Sequence, residues 1–584
     1  MINLTKVNNI NHLWGKLIIE ELIRCGVDYF CISPGSRSTP LVMGVAENRN
    51  ASSCVHFDER GLSYHALGYA SLTGKPVCVI VTSGTAVANC FPAVMEASKK
   101  KVPLIILTAD RPAELRNTGA NQTIDQVKIY GDYARFFFDM PCPSADMPVE
   151  MVLTTIDQAV YRSKSSVPGP VHINCMFREP LVPSKSKGDW KPDLNGIKQW
   201  AQGELPFTGY KSYEKCLARD VIENISEEIG KINKGIIVVG KLRTTDEENC
   251  VLRLTQRLNW PVFPDISSGL RLKSRDEHII HYFDQVLLAK DALKKYAPDG
   301  ILHLGGRITS RRLQAFIQDA EPKRYIMVLN HPLRNDPLHR VTLRIESAVD
   351  KFCDSVLKSI KPRKEKGYAA SLRKASDKVF GIIDEHGRKQ SSLDVPALIH
   401  GICKLTSKKA GLFLSNSMSI RVMDMFACPN DNFFAIGANR GASGIDGIIA
   451  SASGFAKGLN APCVLLLGDL AFLHDLNSLS LLKSIKQPFI IIVLNDDGGG
   501  IFSFLPIAGF PEVFEKYFVA PHGLNFETAA KMFGIPYYRP KDYNDFADSY
   551  KKAFNEKRAA IIEVKLNRDD NLKTINSLQK QILK

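Results

Sequence analysis

The sequence predicts an α/β protein of three doubly wound parallel-sheet domains, and three observations carry that prediction. Short apolar runs of strand length alternate with segments of helical spacing, an order that builds parallel sheets covered by helices on both faces. A chain of 584 residues is too long for one core, and domains of roughly 100–200 residues divide it into three or four. The apolar runs, such as residues 103–107 and 489–494, suit strands buried on both faces. They fall far short of the roughly 20 residues that cross a bilayer, so no membrane span is expected.

The first domain, residues 1–184, reads as a strand at 28–32 entering a Ser-Pro-Gly turn, a short strand at 55–57, and a helix at 60–70. A strand at 77–82 runs into Ser83-Gly84-Thr85, followed by a helix at 86–98 and a strand at 103–108 that ends in Ala109-Asp110-Arg111-Pro112. A strand at 170–174 closes the domain. Residues 185–213, rich in Lys, Gly, Pro and Ser, read as a linker. The central α/β domain, 214–358, carries strands at 235–240, 261–263, 300–304 and 324–329. A second linker at 359–370 is basic. The last domain, 371–584, carries strands at 411–414, 433–436, 464–467, 488–494 and 560–564, and no sequence repeat relates the three.

A net charge of +15 fits either a lysine-rich solvated surface, as at Lys99-Lys100-Lys101, or a basic cleft for anionic ligands. No helix-turn-helix, zinc-finger or basic-aromatic pattern is present, so nucleic acid is not an expected partner. The 13 cysteines are scattered singly without a CxxC, which fits a reducing cytosol better than a disulfide framework. The N-terminus lacks a basic start, an apolar block and a small-residue cleavage site, so a cytoplasmic protein without a signal peptide is expected.

Residues 468–504 carry the strongest chemical signal. One apolar run ends in Gly468-Asp469 and a second in Asn495-Asp496-Asp497 and three glycines, with Leu473, Leu476, Leu479 and Leu482 at helical spacing between them. Both acidic tips then lie at the carboxyl ends of neighbouring parallel strands, where open α/β sheets hold ligands. Asp469 and Asp496 can give hard oxygen ligands to Mg²⁺, and bare glycine backbone can approach a diphosphate. The pattern resembles the fingerprint of thiamine diphosphate enzymes. A plain strand-helix-strand unit with acidic loop ends is the bland alternative.

Four longer blocks narrow the resemblance: SPGSRSTPL (33–41), HFDERGLSYHALGYA (56–70), LTADRPAELRNTGANQTIDQ (107–126) and NRGASGIDG (439–447). Together they resemble the 2-succinyl-5-enolpyruvyl-6-hydroxy-3-cyclohexene-1-carboxylate (SEPHCHC) synthases, thiamine diphosphate enzymes of menaquinone biosynthesis. The resemblance implies decarboxylation of 2-oxoglutarate and conjugate addition of the remaining four-carbon unit to isochorismate. It implies a Mg²⁺ or Mn²⁺ held by Asp469, Asp496 and the Gly498 carbonyl, with Gly468 and Leu470 at the cofactor.

Taken alone, Glu59 reads more readily as a first-turn helix acid favoured by the dipole, but the match to the motif reverses that reading, and the same resemblance assigns it as the carboxyl against the aminopyrimidine ring. Ile445 takes the place of the aliphatic side chain that props the bent cofactor. Both substrates carry two carboxylates, which suits guanidinium forks. Arg37, Arg111, Arg312, Arg421 and Arg440 match the substrate positions, with Ser36, Gln122 and Ser417 as neutral donors. Arg311 stands where relatives can carry lysine, and Ile501 and Phe502 form an apolar wall. The turn departs from the usual two asparagines, because Asp496 adds a negative charge beside the diphosphate. The family's cofactor spans two subunits, so a homodimer is the implied minimum and a homotetramer stays open. His56, His65 and His474 are available for proton transfer. Three rivals remain: another thiamine diphosphate enzyme, such as a 2-oxo acid decarboxylase or an acetolactate synthase relative; a non-catalytic polyanion-binding protein; and an inactive homologue, against which the intact Glu59, Asp469 and glycine loop argue.

Overall fold

The computed structural model describes residues 4, 7–165, 167–182, 193–212, 216–273, 276–364, 366–389 and 393–584. Its described strands form three sheets, and every pairing is parallel. The chain divides into two compact units, one of residues 1–213, 439–460 and 471–486 and one of the remainder.

The first unit holds β1 (Tyr29–Ile32), β2 (Ser52–Val55), β3 (Val77–Val81), β4 (Leu104–Asp110), β5 (Phe137–Met140) and β6 (Pro170–Met176), in the order β2-β1-β3-β4-β6-β5. All residues of β3, β4 and β6 are buried, as strands covered on both faces must be. The order reverses between β1 and β3, so their carboxyl ends frame a crevice. Helix Glu59–Thr73 starts where Asp58 accepts from the Arg60 and Gly61 amides and stops at Gly74, whose φ of 69° only glycine adopts cheaply. This helix crosses helix Ile448–Leu459 through two facing glycines. A Cβ on Gly68 would lie 1.9 Å from the Ser451 carbonyl oxygen, and one on Gly454 1.9 Å from that of His65.

The second unit holds two sheets. One contains β7 (Gly235–Val239), β8 (Val262–Pro264), β9 (Gly300–Leu304), β10 (Arg324–Leu329) and β11 (Leu343–Glu346), ordered β11-β10-β9-β7-β8. The other contains β12 (Ala410–Leu414), β13 (Phe433–Ala438), β14 (Cys463–Gly468), β15 (Phe489–Asn495), β16 (Tyr537–Tyr538) and β17 (Ala559–Lys565), ordered β13-β12-β14-β15-β17-β16. One apolar cluster joins the two sheets, with Ile236 and Val238 in the same core as Leu412 and Ile490.

Four local expectations change. The strand expected at 55–57 is β2, at Ser52–Val55, and Val55 and Phe57 are exposed. The helix expected at 86–98 is two helices, Thr85–Asn89 and Phe91–Lys100, because Pro92 lacks the amide that would continue the first. The segment between β14 and β15 is a helix Asp469–His474 and then 3₁₀ turns over Leu476–Ser484. There Asp475 accepts from the Ala450 amide and from Ser478 Oγ, which favours local side-chain bonds over regular helix.

The fourth change concerns the tract 185–213. Residues 183–192 and 213–215 lie outside the described residues, whereas 193–212 pack on the first unit. Glu21, fully buried, accepts from Trp200 Nε1 (2.5 Å) and the Phe207 amide (2.6 Å), and Asp157 accepts from the Thr208 amide (2.7 Å). Arg24 lies 4.0 Å over the Trp200 ring, and Tyr161 stacks on Tyr210 at 4.5 Å. All 13 cysteines are free thiols, and no described helix is long and apolar enough to cross a membrane.

Candidate active site

In the first unit the crevice between β1 and β3 receives the residues that follow β1, β2 and β3. Ser33 Oγ donates to Glu59 Oε1 (3.0 Å) and Asn89 Nδ2 to Oε2 (3.3 Å), so both oxygens of this half-buried carboxylate are held. Arg37, 8% exposed, donates to the Phe177 carbonyl (3.0 Å) and lies 3.5 Å from Glu179, but its Nε is buried without a partner. Burial and then the Arg111 guanidinium lower the Arg37 pKa. Arg111 donates to Ser83 Oγ (2.7 Å) and the Asn121 carbonyl (2.8 Å). Two guanidiniums close enough to repel, one with an orphan N–H, form a place for an anion. Ser36 and Gln122 are exposed, and Gln122 adopts a φ of 55°.

Arg440 and Ile445, both half-buried, belong to the same unit. Their loop presses on helix Glu59–Thr73: a Cβ on Gly447 would lie 2.0 Å from the Tyr64 ring. Arg60 reaches the His474 carbonyl (2.8 Å), and His474 lies 3.7 Å from Asp446. His65 bonds Tyr29 and Ser453, and burial pushes its pKa down to about 3, so it is a neutral core group. His56 bonds Ser480 Oγ (3.1 Å), and burial lowers its pKa too.

In the second unit Asp469 and Asp496 follow β14 and β15, which pair with Gly468 opposite Leu494. Asp469, 1% exposed, accepts from the amides of Leu470 (2.6 Å) and Gly498 (2.9 Å) and from His522 Nε2 (3.2 Å). Burial, and then the charge of Asp469, push Asp496 up to about 7. The glycines after β15 are packed too closely to admit a side chain. A Cβ on Gly498, whose φ is 129°, would meet the Val519 carbonyl at 2.1 Å, and one on Gly500 would meet the Asp496 carboxyl at 1.9 Å. Gly468 faces open space. Two close carboxyls beside side-chain-free glycine backbone fit a divalent cation carrying a diphosphate.

Sequence reasoning missed His522, Glu563 and Asn89. His522 Nδ1 accepts from the Leu524 amide (3.0 Å), which leaves Nε2–H to donate to Asp469. Glu563 on β17 accepts from Asn495 Nδ2 (2.7 Å), Tyr537 (2.7 Å) and the Phe526 amide (2.9 Å), and so holds the turn after β15 from behind. No motif marks these residues, because each is brought in by the fold.

The remaining expected residues also lie in the second unit. Ile501 and Phe502 are half-buried on the 3₁₀ turn Gly500–Phe504, with Phe502 edge-on to Phe518 at 5.5 Å. Ser417, at a φ of 64°, opens helix Met418–Phe426, and Arg421 donates to its carbonyl. Arg311 is exposed at the start of helix Arg311–Ala320. Arg312 is engaged by the Asp284 carboxylate and carbonyl, a partner the sequence did not reveal.

Residues 14–129 match the thiamine pyrophosphate enzyme N-terminal TPP binding domain, 191–414 the family described as the middle domain of thiamine pyrophosphate, and 426–564 the C-terminal TPP binding domain. The chain is 43% identical over 562 residues to the SEPHCHC synthase of Rubrobacter xylanophilus, covering 96% of each chain. It is 41% identical to that of Chlorobium limicola, covering 98% of this chain and 97% of the relative. Benzoylformate decarboxylase from Polynucleobacter necessarius shares the fold, with a TM-score of 0.69 at 16% identity over 95% of this chain and 98% of that one.

Proposed function

The chain belongs to the SEPHCHC synthase family of thiamine diphosphate-dependent enzymes, and on that premise we propose which of its residues perform the reaction. Its activity is thiamine diphosphate-dependent SEPHCHC synthesis, a step of menaquinone biosynthesis. The cofactor, when bound, supplies the nucleophilic carbon and the electron sink for decarboxylating 2-oxoglutarate and joining the four-carbon remainder to isochorismate.

Asp469, Asp496 and the Gly498 carbonyl hold Mg²⁺ or Mn²⁺, with Gly468 and Leu470 beside the diphosphate. Glu59 holds the proton at its carboxyl facing the aminopyrimidine, oriented by Ser33 and Asn89. Ile445 props the cofactor. Arg37, Arg111 and Arg440 bind substrate carboxylates with Ser36 and Gln122, and the orphan Nε of Arg37 supports an anion there. Arg311, Arg312, Arg421 and Ser417 are likewise assigned to substrate, and Ile501 and Phe502 to the exclusion of water.

The pyrimidine ring is assigned to residues 1–184 and the diphosphate to 371–584, with 185–213 and 359–370 flanking the central 214–358. A homodimer, or a tetramer built from it, shares the cofactor between first and last domains of different copies. The exposed Val55 and Phe57 beside Glu59, and Phe504 and Phe510 after the glycine turn, support such a partner. Free cysteines support a cytoplasmic location.

The observation that carries the site is the Asp469–Asp496 pair, whose repulsion and burial a divalent cation relieves. Purified protein with thiamine diphosphate, Mg²⁺, 2-oxoglutarate and isochorismate is expected to consume isochorismate absorbance. Folded protein that leaves the absorbance unchanged overturns the assignment. Carbon dioxide release from pyruvate without isochorismate would favour the decarboxylase alternative.

A further inference from the structure

Glu96 is a carboxylate that the chemistry above does not use. It sits on helix Phe91–Lys100, is 1% exposed, and lies in the same unit as the loop 439–447. Its two oxygens accept three consecutive backbone amides of that loop: Gly441 (2.7 Å), Ala442 (2.5 Å) and Ser443 (3.4 Å). Successive amides converge on one point only when the backbone curls, and Ser443 takes the left-handed φ of 65° to do so. Such a curl is an anion-binding nest, here filled by the protein's own carboxylate. The approach is close enough to require glycine, since a Cβ on Gly441 would lie 2.7 Å from the Glu96 carbonyl oxygen and 3.0 Å from its carboxyl.

The rest of the loop is tied on either side of this clamp. Lys100, one turn further along the helix, reaches Asn439 (3.4 Å), which in turn donates to Ser451 (2.8 Å). Gly447 is pressed on Tyr64. Between these points stand Arg440 and Ile445, the residues assigned to a substrate carboxylate and to the cofactor. We propose that Glu96 is a positioning residue, which holds the curled 441–443 backbone so that Arg440 and Ile445 are presented to substrate and cofactor. This inference rests on the site reading above.

The amide of Glu96→Gln keeps the volume but replaces one acceptor oxygen with a donor, so at least one of the three amides loses its acceptor. The expected result is a rise of about tenfold, equivalent to about 1.4 kcal/mol, in the thiamine diphosphate dissociation constant measured by calorimetry with Mg²⁺. A similar rise is expected in KM for the dicarboxylate substrates, with a smaller change in kcat. Adding Ser443→Gly, which adopts the positive φ without strain, is expected to recover part of the affinity; a packing role alone would not respond. Glu96→Asp, charged but one methylene shorter, reads the same constants if Glu96→Gln does not fold.

Wild-type constants in a folded Glu96 variant, or losses that follow the melting temperature and ignore Ser443→Gly, overturn the proposal. A wild-type protein that neither binds thiamine diphosphate nor consumes isochorismate overturns the site reading instead.

Discussion

The crossing of helices Glu59–Thr73 and Ile448–Leu459 permits a test in which two effects have opposite signs. Gly68→Ala, judged as a helix substitution alone, stabilises by about 1 kcal/mol, because alanine is the better helix former. The crossing reverses that sign. The new Cβ would lie 1.9 Å from the Ser451 carbonyl oxygen, where real Cβ atoms essentially never come under 3.0 Å. The partner is backbone, so no rotamer change relieves the contact and the helices must part by about 1 Å. Overpacking of this kind costs roughly 1–3 kcal/mol, and the lost interhelical contacts add to it. A net loss of about 2 kcal/mol is expected from urea unfolding followed by circular dichroism, with Gly454→Ala behaving alike. Gly381, exposed on helix Tyr368–Lys389 with nothing within 4 Å of its Cβ position, is the control. Gly381→Ala should gain about 0.5–1 kcal/mol. A Gly68→Ala protein as stable as wild type would refute the reasoning. The substitution should also weaken cofactor binding, since one helix begins at Glu59 and the other follows the loop of Ile445.

Three further outcomes are expected. Glu59→Gln should retain cofactor binding by calorimetry but lower turnover by about 10²–10⁴-fold, and a wild-type rate would remove Glu59 from the proton transfer. Asp496→Asn should weaken Mg²⁺-dependent cofactor uptake by about tenfold, roughly 1.4 kcal/mol, while raising the melting temperature of the metal-free protein. The burial of a charge and then the repulsion from Asp469, which together push Asp496 up to about 7, would no longer act on a neutral amide, and an unchanged melt would count against it. Glu21 is pushed up to about 8, chiefly by burial and then by its hydrogen bond with Asp157. A carboxyl raised in the folded state stabilises fully below its ordinary value of 4.5, and that contribution is lost as pH rises toward 8. Wild-type stability should therefore decline across this window by up to about 1.4 kcal/mol per pH unit, and Glu21→Gln should flatten the decline. Identical pH profiles would exclude Glu21 as the titrating group.

Much of the architecture was legible because parallel strands buried on both faces are continuous apolar runs, as at β4, β14 and β15. The edge strands β2, β5, β11 and β16 were misplaced or missed, because they are short and only partly covered, so their sequences carry little pattern. Helical spacing over 473–482 was real but was outcompeted by the Asp475 bonds to Ala450 and Ser478. The tract 193–212 looked like linker because its composition says nothing of Glu21 and Asp157, the buried carboxyls that hold it.

By itself the sequence determined the strand-helix alternation, the acidic turns at Asp469 and Asp496 and the block containing Glu59, since each depends on neighbours a few residues apart. Only the tertiary structure decided what surrounds those groups. His522 meets Asp469 from 53 residues away, and Glu96 meets Gly441 across 345. Such partners leave no local periodicity, because a hydrogen bond depends on distance in space and the fold alone brings distant segments within hydrogen-bonding reach of each other.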